Sequence, residues 1–497
     1  MHALTEYFDG LGSNIEPPTH RVVAASEAQE AVRTYLKGTD AFITTPPHSA
    51  LAGSYARNTA VGDIKDVDIL LRADAEYLHM SPAAVLGKLR VALTAMDGVT
   101  SAELRTQRRS VHVYLRDRDF HLDVVPAVAE NGLGEQLLVP CKTQDEWVLS
   151  NPCGYAAKLS DLNALHGGKV IPIIKMLKHW RDHHMARMAP KSYWLECLVF
   201  GLFNGGEVQS AGKGWGELFR DTLVGLRNRC ASAFDSDGAV PRVTDPCTGK
   251  VVTSKWERNH FEAFFHRVED SIVWCDRALA EDDVEKAIDL WSAIFGEAFP
   301  PIKATDRARQ WAAAMVSGGL YVSSTGQLVT SPTAGVSVIP VPKAKFHGGG
   351  ASHAPFRFRR QRPPYVQQTL DMKRFFPQFS CDSKRGAFLI FTGHLRPTAA
   401  SPSYRVRVKL HRDGTVRVRV LHPPLAARCS HRYLDGTLCL YYPPDYTWTG
   451  VESLAEVIIP LTAVWLGFYE VEQETGPPWL GPESPHRGPT AGKRFAA

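Results

Sequence analysis

The sequence predicts an α+β protein with two separate domains. Three observations lead to this prediction: most strand-like segments come first and mainly helical ones follow up to Gly318, a stretch rich in Gly, Ser, Thr, Pro and Ala comes next, and new strands and a helix come after it. At 497 residues the chain is too long for one ordinary core, because domains average roughly 150 residues. We therefore predict a first domain over residues 1–318, a linker over 319–356 and a second domain over 357–497.

The first domain is predicted to begin with strands and to continue as a helical lobe. Apolar residues at helical spacing between Arg21 and Lys37 predict an early helix, and SPAAVLGKLRVALTAM predicts another. The alternating patterns VDILLRA, VHVYL and FHLDVVPAV predict strands. From Asp145 to about Phe203, and again from Trp256 to Gly318, the pattern is mainly helical.

In the second domain QQTLDMKRFF predicts a short helix. Strands are predicted at AFLIFTGHL, YRVRVKL and TVRVRVL, and a helix from Ser453 to about Glu472.

Charge, cysteines and hydropathy exclude several classes of protein. The 57 basic and 52 acidic residues give a net charge of +5, which is too small to predict nucleic-acid binding from charge alone. Nine cysteines form no CxxC pair and are odd in number, which argues against a zinc module and a secreted disulfide framework. The sequence shows neither a signal peptide nor a run approaching the roughly 18 apolar residues of a spanning helix. We expect a soluble, cytoplasmic protein with no membrane partner.

Three aspartates predict a metal-dependent catalytic site. In DVDI the alternation of a strand puts Asp66 and Asp68 on one face, and in FHLDVVPAV the same alternation presents Asp123. Clustered carboxylates are the oxygen ligands that Mg²⁺ prefers, and two such ions stabilise the entering and leaving oxygens of phosphoryl transfer. We predict Asp66, Asp68 and Asp123 as catalytic metal ligands for two Mg²⁺ ions, or Mn²⁺ in their place, with a nucleoside triphosphate (NTP) as substrate.

A glycine and a serine upstream of the aspartates predict a phosphate-binding turn. Gly53 has no side chain to block a phosphate, and Ser54 offers a hydroxyl beside the backbone N–H groups. Singly, a GS pair is usually an ordinary turn and a DxD pair a solvated strand edge. Their conjunction is far more specific.

The order GS, DxD and a later strand-borne Asp resembles the polymerase-beta-like nucleotidyltransferase superfamily. Within it, GSYARNT, EWVLSNPCGYAAKLSDLN, VIPIIKMLKHWRD and PKSYWLE resemble the oligoadenylate synthase and cyclic GMP-AMP synthase group, and most of all its bacterial branch, the CD-NTases of CBASS antiphage defence. The resemblance covers roughly Thr19 to Gly318. It implies that Lys178 contacts the NTP phosphates and that Ser192, near a helix N-terminus, helps to hold the nucleotide. The alternative for Lys178 is a solvated helix face.

The second domain resembles bacterial ubiquitin-conjugating enzymes. The residues that carry this likeness are His431, Gly436, Cys439 and Trp448, within HRYLDGTLCLYYPPDYTW. It implies that Cys439 is a nucleophile that takes a carboxyl terminus as a thioester and passes it to an amine of a conjugation target. The asparagine that eukaryotic members place before the cysteine is missing. The alternative is that Leu-Cys-Leu is a buried strand in an inactive sensor or docking domain.

Together the resemblances imply a synthase that makes a cyclic oligonucleotide second messenger, fused to a conjugating-enzyme-like domain, with a separate effector that binds the product. Two alternatives remain open. One is a toxin-like nucleotidyltransferase that modifies tRNA or protein, and the other is a conjugation or scaffold protein whose first domain is silent.

Overall fold

A computed structural model describes residues 4–185, 190–235, 240–252, 256–331, 337–346, 364–384, 388–427, 429–442 and 446–483. The chain forms two compact units. Unit 1 comprises Met1–Asp282 and Lys286–Pro301, and unit 2 comprises Asp283–Glu285 and Ile302–Ala497. No helix among these described residues is long and apolar enough to cross a membrane.

Unit 1 contains a five-stranded sheet in the order β1-β2-β5-β4-β3. Its strands are β1 (Thr44–Ala52), β2 (Val67–Ala73), β3 (Leu104–Thr106), β4 (Val111–Leu115) and β5 (Phe120–Ala127). Strands β2 and β5 are parallel, and the other neighbours are antiparallel. Two small hairpins pair β6 (Leu137–Cys141) with β7 (Glu146–Ser150), and β8 (Val243–Thr244) with β9 (Val251–Val252).

The other elements of unit 1 are helical. They are α1 (Thr5–Ile15), α2 (Thr19–Gly38), α3 (Gly53–Ala56), α4 (Pro82–Thr94), α5 (Pro152–Leu165), α6 (Val170–Met185), α7 (Ser192–Asn204), α8 (Trp215–Phe234), α9 (Arg258–Ala280) and α10 (Val284–Phe295). Local sequence explains several starts. At α4 the Ser81 hydroxyl accepts a hydrogen bond from the Ala84 N–H, and Pro82 has the backbone φ of a first helical turn.

The two faces of the sheet differ in polarity, because successive side chains of a strand point to opposite faces. One face, which includes Val67, Ile69, Leu122 and Val124, is buried with the apolar stripes of α2 and α4. The other face carries Asp68 in β2, together with the polar residues of β4 and β5. The polar face is therefore available for a site, while the apolar face holds the domain together.

Unit 2 has its own core, which is built from a meander, a small sheet and three helices. The helices are α11 (Ala304–Ser317), α12 (Tyr365–Phe375) and α13 (Ile458–Thr475). The small sheet has the order β11-β10-β12, with β10 (Tyr321–Ser323), β11 (Leu328–Val329) and β12 (Val338–Pro340). The antiparallel meander runs β13 (Ser380–Lys384), β14 (Phe388–Leu395), β15 (Tyr404–His411) and β16 (Val416–His422).

The compact units divide earlier in the chain than the predicted domain boundary at Gly318. Helix α11 buries Ala304, Ala308, Trp311 and Met315 in the core of unit 2, whereas the sequence pattern assigned it to the first domain. Part of the predicted linker forms β10, β11 and β12, because its few apolar residues, such as Val322, are buried in the same core. Residues 347–363, which hold the rest of that linker and the start of the predicted second domain, lie outside the described residues.

Candidate active site

The structure brings the three predicted aspartates together at the start of the parallel strand pair. Asp68 in β2 lies directly opposite Asp123 in β5, and Asp66 immediately precedes β2. Parallel pairing makes this possible because the two strands run the same way and their polar positions fall in register. Asp66 is exposed and Asp68 is half-buried. Two strands far apart in sequence thus deliver one acidic cluster.

The predicted turn packs directly against this cluster. Gly53 begins α3 with φ +70°, a left-handed conformation that glycine adopts without steric cost. A Cβ at this position would lie 1.8 Å from Oδ2 of Asp68. Both the backbone conformation and the close approach therefore require glycine, and they hold the turn, with Ser54, beside the carboxylate.

Burial and mutual repulsion raise the pKa values of two of the aspartates. Burial, reinforced by the charges of Asp66 and Asp123, raises the pKa of Asp68 to about 6. Burial and the charge of Asp123 also raise the pKa of Asp66, against the opposing effect of His112 and His121. A cluster that holds its negative charges at such a cost is suited to a bound cation.

A polar network, which the sequence analysis did not single out, fixes Asp123. The Oδ1 atom of Asp123 lies 2.9 Å from Nδ1 of His112 in β4 and accepts a hydrogen bond from Gln107 at 3.1 Å. The other ring nitrogen of His112 lies 3.1 Å from Nδ1 of His121. His112 is directly opposite Asp123 in the β4–β5 ladder. Since both groups contact Oδ1, they orient the carboxylate, and no hydrogen bond from the described residues involves Oδ2.

A cavity of about 1060 Å³ opens over the polar face of the sheet. Six of the predicted residues line it: Gly53, Ser54, Asp66, Asp68, Lys178 and Ser192. Basic side chains from several loops line it as well, among them Lys65, Arg108, Arg109, Lys191 and Lys250. The cavity thus combines an acidic floor with basic walls, as a metal-bound polyphosphate requires.

Lys178 lies in the cavity wall, but its amine already has partners. It is 2% exposed, donates to the backbone O and the Oγ1 of Thr59 at 2.8 and 3.0 Å, and pairs with Glu196 at 2.5 Å. Contact with the NTP phosphates stays a prediction. The solvated helix face, the alternative for this residue, differs from what the structure shows. The geometry favours a third role, in which Lys178 is one part of a buried ion cluster.

Glu196 in α7 is the centre of that buried ion cluster. Its carboxylate also accepts hydrogen bonds from Nε of Arg57 at 2.8 Å and from Oγ1 of Thr59 at 3.1 Å. Burial would raise the pKa of Glu196, but Lys178 and Arg57 outweigh burial and hold the pKa below its usual value. The Arg57 guanidinium also lies over a neighbouring aromatic ring, Tyr155. The cluster ties α6 and α7 to the chain segment that follows the Gly53 turn.

Ser192 is the first residue of α7, with its N-terminal turn at the cavity. Its Oγ accepts a hydrogen bond from Arg181 at 2.9 Å. The next residue, Tyr193, donates to Oδ2 of Asp245 at 2.7 Å, and Asp245 also caps the turn between β8 and β9. The hairpin contributes Lys250 to the cavity lining. This hairpin could not be predicted from the sequence, because its strands are only two residues long.

In unit 2 the predicted nucleophile is not at the surface. Cys439 is 1% exposed, its thiol lies 3.2 Å from the Tyr433 hydroxyl, and its N–H donates to the His431 carbonyl. A thioester nucleophile has to be accessible, and the Gly436 turn before Cys439 and the Tyr-Tyr-Pro-Pro segment after it are typical of an exposed loop. The structure differs because Leu438 and Leu440 on either side of the cysteine are buried in the core of the unit.

A divalent cation fits the acidic cluster of unit 1. Its carboxylates are the ligand type that Mg²⁺ and Mn²⁺ prefer, and burial together with the charges of Asp66 and Asp123 raises the pKa of Asp68, an effect that a bound cation would oppose. In the described part of the chain no group of three or more His, Cys, Asp or Glu side chains is placed so that it could hold a metal ion by itself. Substrate phosphates would therefore supply ligands, as is usual for Mg²⁺.

Comparisons with known proteins agree with this geometry. Residues 2–163 match the family model of the Second Messenger Oligonucleotide or Dinucleotide Synthetase domain, and residues 368–487 match that of the Type II CBASS E2 protein. A cyclic AMP-AMP-AMP synthase of Acinetobacter sp. is 30% identical over 334 residues, which are 66% of this chain and 94% of that protein. The chain belongs to the CD-NTase family.

One further relative and one solved structure are also similar to this CD-NTase. A cyclic AMP-AMP-GMP synthase of Enterobacter hormaechei is 21% identical over 362 residues, which cover 60% of this chain and 92% of that protein. A solved structure of the CdnC:HORMA-deltaN complex of E. coli MS115-1 superposes with a TM-score of 0.50 at 15% identity, over 60% of this chain and 98% of that one. The structural likeness shows the shared fold.

These findings confirm the predicted family, the α+β fold class and the main function over its alternatives. The enzyme is a nucleotidyltransferase of the cyclic oligonucleotide synthase type, with an E2-like CBASS domain at its C-terminal end. Divalent metal ions are general for this family. The roles of the individual site residues remain predictions, although the structure gives the positions of these residues.

Proposed function

We propose that the CD-NTase joins ATP molecules into a cyclic oligoadenylate, with Mg²⁺, as two ions, held by Asp66, Asp68 and Asp123. The observation that carries this proposal is the register of Asp68, which lines the cavity, against Asp123 on the neighbouring strand. When bound, the cations neutralise charge on the phosphates and on the reacting oxygens. The product then acts on a separate effector.

The chain's own residues position the reactants. In each step an acceptor hydroxyl oxygen bonds to the α-phosphorus of an NTP, and pyrophosphate leaves. The Gly53 turn brings backbone N–H groups and the Ser54 hydroxyl to the phosphates, while His112 and Gln107 hold Asp123 in one orientation. At about 1060 Å³ the cavity matches or exceeds the roughly 300–1,000 Å³ of ordinary ligand pockets, which leaves room for donor and acceptor nucleotides together.

The proposed base is adenine because of the relatives' products. The Acinetobacter relative is named for a product with three AMP units, and the Enterobacter relative for one with two AMP units and one GMP. Adenine is common to both. The identity to the first is higher, so a ring of three adenylates is the expected product.

Mass spectrometry of the reaction products tests this proposal. The purified full chain is incubated with Mg²⁺ and with ATP alone, each other NTP alone, and the complete mixture, without any added acceptor. We expect ATP alone to yield a cyclic triadenylate. Label that appears only on added tRNA or protein, or a product without adenine, would contradict the proposal. Asp68→Asn, which removes one ligand charge, serves as the inactive control.

A second activity is proposed for Cys439, namely acceptance of an activated carboxyl terminus as a thioester. The match of residues 368–487 to the E2-CBASS family supports it. In the step a bond forms between Sγ and the carbonyl carbon, the thiol proton is lost, and the activating group of an acyl adenylate or thioester donor leaves. Because the thiol is buried against the Tyr433 hydroxyl, the loop must open before the step.

Cys439→Ala is expected to remove any thiol-sensitive adduct on a denaturing gel and to leave nucleotide synthesis unchanged. The nearby Cys429→Ala is the matched control and should keep the adduct. Native-state alkylation measures opening of the loop, and Tyr433→Phe, which loses the hydroxyl partner, should speed alkylation of Cys439. If Cys439 resists alkylation in both proteins and its alanine variant unfolds, the thiol is structural and the second activity is abandoned.

A further inference from the structure

The outward face of β15 and β16 in unit 2 carries a compact patch of cations. On β15, Arg405 and Arg407 are exposed and Lys409 is half-buried, and they alternate with the buried apolar residues of the same strand. On β16, Arg417 and Arg419 lie on the same face. We call these five residues the basic face. The alternation shows that one side of the meander serves the core and the other presents charge.

The register of the two strands places like charges directly opposite each other. Arg407 pairs with Arg419, and Lys409 pairs with Arg417. Such cross-strand pairs are destabilising, because their side chains stand about 4.5–5.5 Å apart at Cβ. The like charges therefore destabilise the meander, and a bound anion would reduce their repulsion.

Internal partners compensate only part of the basic face. Arg417 pairs with the Asp435 carboxylate at 2.7 Å, and Arg419 donates to the Asp435 backbone oxygen. Lys409 lies over the Phe388 ring, 4.1 Å from its centroid. Within the described residues, Arg405 and Arg407 form no ion pair with an acid. The uncompensated charge is concentrated at the β15 side.

The character of the face favours nucleic acid over a protein partner. None of the large hydrophobic side chains that are exposed in the described part of the chain lies on β14, β15 or β16. Stable protein interfaces have an apolar core with aromatic or aliphatic anchors, whereas nucleic-acid interfaces are more polar and much more basic. The planar guanidinium groups also match phosphate oxygens, to which they can donate two hydrogen bonds at once.

The same composition favours a duplex over a single strand. Proteins that bind single strands stack the bases on aromatic side chains. None of the five residues of the basic face is aromatic, and the Phe388 ring beside it is half-buried under Lys409. The exposed rings that share this side of the sheet are the imidazoles of His394 and His422, which flank Arg405 at one end. We propose that the basic face binds the phosphate backbone of a nucleic-acid duplex without reading its sequence. This inference does not depend on the product or the metal site of unit 1.

Salt-dependent binding of a labelled DNA duplex to the full chain tests the proposal. The variant carries Arg405→Gln, Arg407→Gln and Lys409→Gln, which remove charge and keep the polarity of the face. Wild type should bind, and the logarithm of its affinity should fall with the logarithm of salt concentration, by about 0.9 for each phosphate contacted. The variant should bind at least tenfold more weakly at low salt, with a slope smaller by roughly 2–3.

The controls separate this surface from other sources of binding. A matched variant neutralises three exposed cations of unit 1: Lys37, Arg90 and Arg277. It should bind the duplex like wild type. Equal affinities for the basic-face variant and wild type would overturn the proposal. So would tighter binding to a single strand of equal length, or to a polyglutamate peptide, since the latter would indicate an acidic protein partner. Nucleotide synthesis without DNA should match wild type in both variants, and the melting temperature of the basic-face variant should not fall below that of wild type, because its substitutions remove like-charge pairs.

Discussion

Asp68→Asn is expected to abolish nucleotide incorporation and yet to make the metal-free protein more stable at pH 7.5. The folded state holds the pKa of Asp68 at about 6, above the ordinary 3.8, so folding at neutral pH forces a charge into an unfavourable place. Removal of that charge recovers about 3 kcal/mol, since one pKa unit corresponds to 1.36 kcal/mol. The loss of a ligand meanwhile costs several kcal/mol of transition-state stabilisation.

The stability gained by Asp68→Asn should depend on pH in a defined direction. Between pH 3.8 and about 6 the folded protein binds a proton at Asp68 that the unfolded chain has released, so stability falls as the pH rises through this window. The gain from asparagine should therefore vanish below about pH 4 and reach its full size above pH 7. Thermal unfolding in a chelator at both pH values measures it.

Asp66→Asn is the matched comparison, because Asp66 is exposed and should give a smaller gain. The double variant Asp66→Ala with Asp68→Ala should also fold and be inactive. Wild-type turnover in a folded variant, or a lower melting temperature for Asp68→Asn at pH 7.5, would be inconsistent with a cation site at these carboxylates.

Glu196→Ala is expected to destabilise unit 1 by about 3–5 kcal/mol, because it leaves Arg57 and Lys178 buried without a counter-charge. Denaturant unfolding of the full chain measures the change in the free energy of unfolding of unit 1. Glu207→Ala breaks the ion pair with Arg229, in which the two side chains are 43% and 35% exposed, and should cost at most about 1 kcal/mol. Equal effects of the two substitutions would show that the cluster is not a structural support.

Lys178→Met then distinguishes the two roles of that lysine. Phosphate contact, as predicted from the sequence, requires ATP binding to weaken about tenfold to a hundredfold while stability is kept. The buried ion cluster requires the reverse, a loss of stability with ATP affinity maintained in the protein that remains folded.

The acidic cluster could be predicted from the sequence because its signal is local. A period of two in DVDI and FHLDVVPAV determines which side chains share a face, and pairing of β2 with β5 then brings Asp68 and Asp123 together. The network around Asp123 depends on the register of a third strand. The pattern VHVYL places His112 on a polar face, but only the β4–β5 ladder shows that it lies opposite Asp123.

Burial of charged and polar groups was harder to predict, because it depends on contacts distant in sequence. Glu196 lies within PKSYWLE, and its partners Arg57 and Lys178 come from a loop and another helix. Cys439 is flanked by turn-forming residues that suggest a loop. It is buried because its neighbours Leu438 and Leu440 belong to a core that is assembled from many segments of unit 2. Helix α11 has an amphipathic pattern, and the pattern does not specify which of two cores receives its apolar face.

Gly53 gives a way to recognise relatives that have lost their chemistry. Since even a methyl group there would collide with the Asp68 carboxylate, an alanine at the equivalent position displaces the acid although every aspartate codon survives. Genome surveys that count only aspartates would classify such chains as synthases. Inspection of this one small residue would separate working enzymes from degenerate copies that keep the acidic signature.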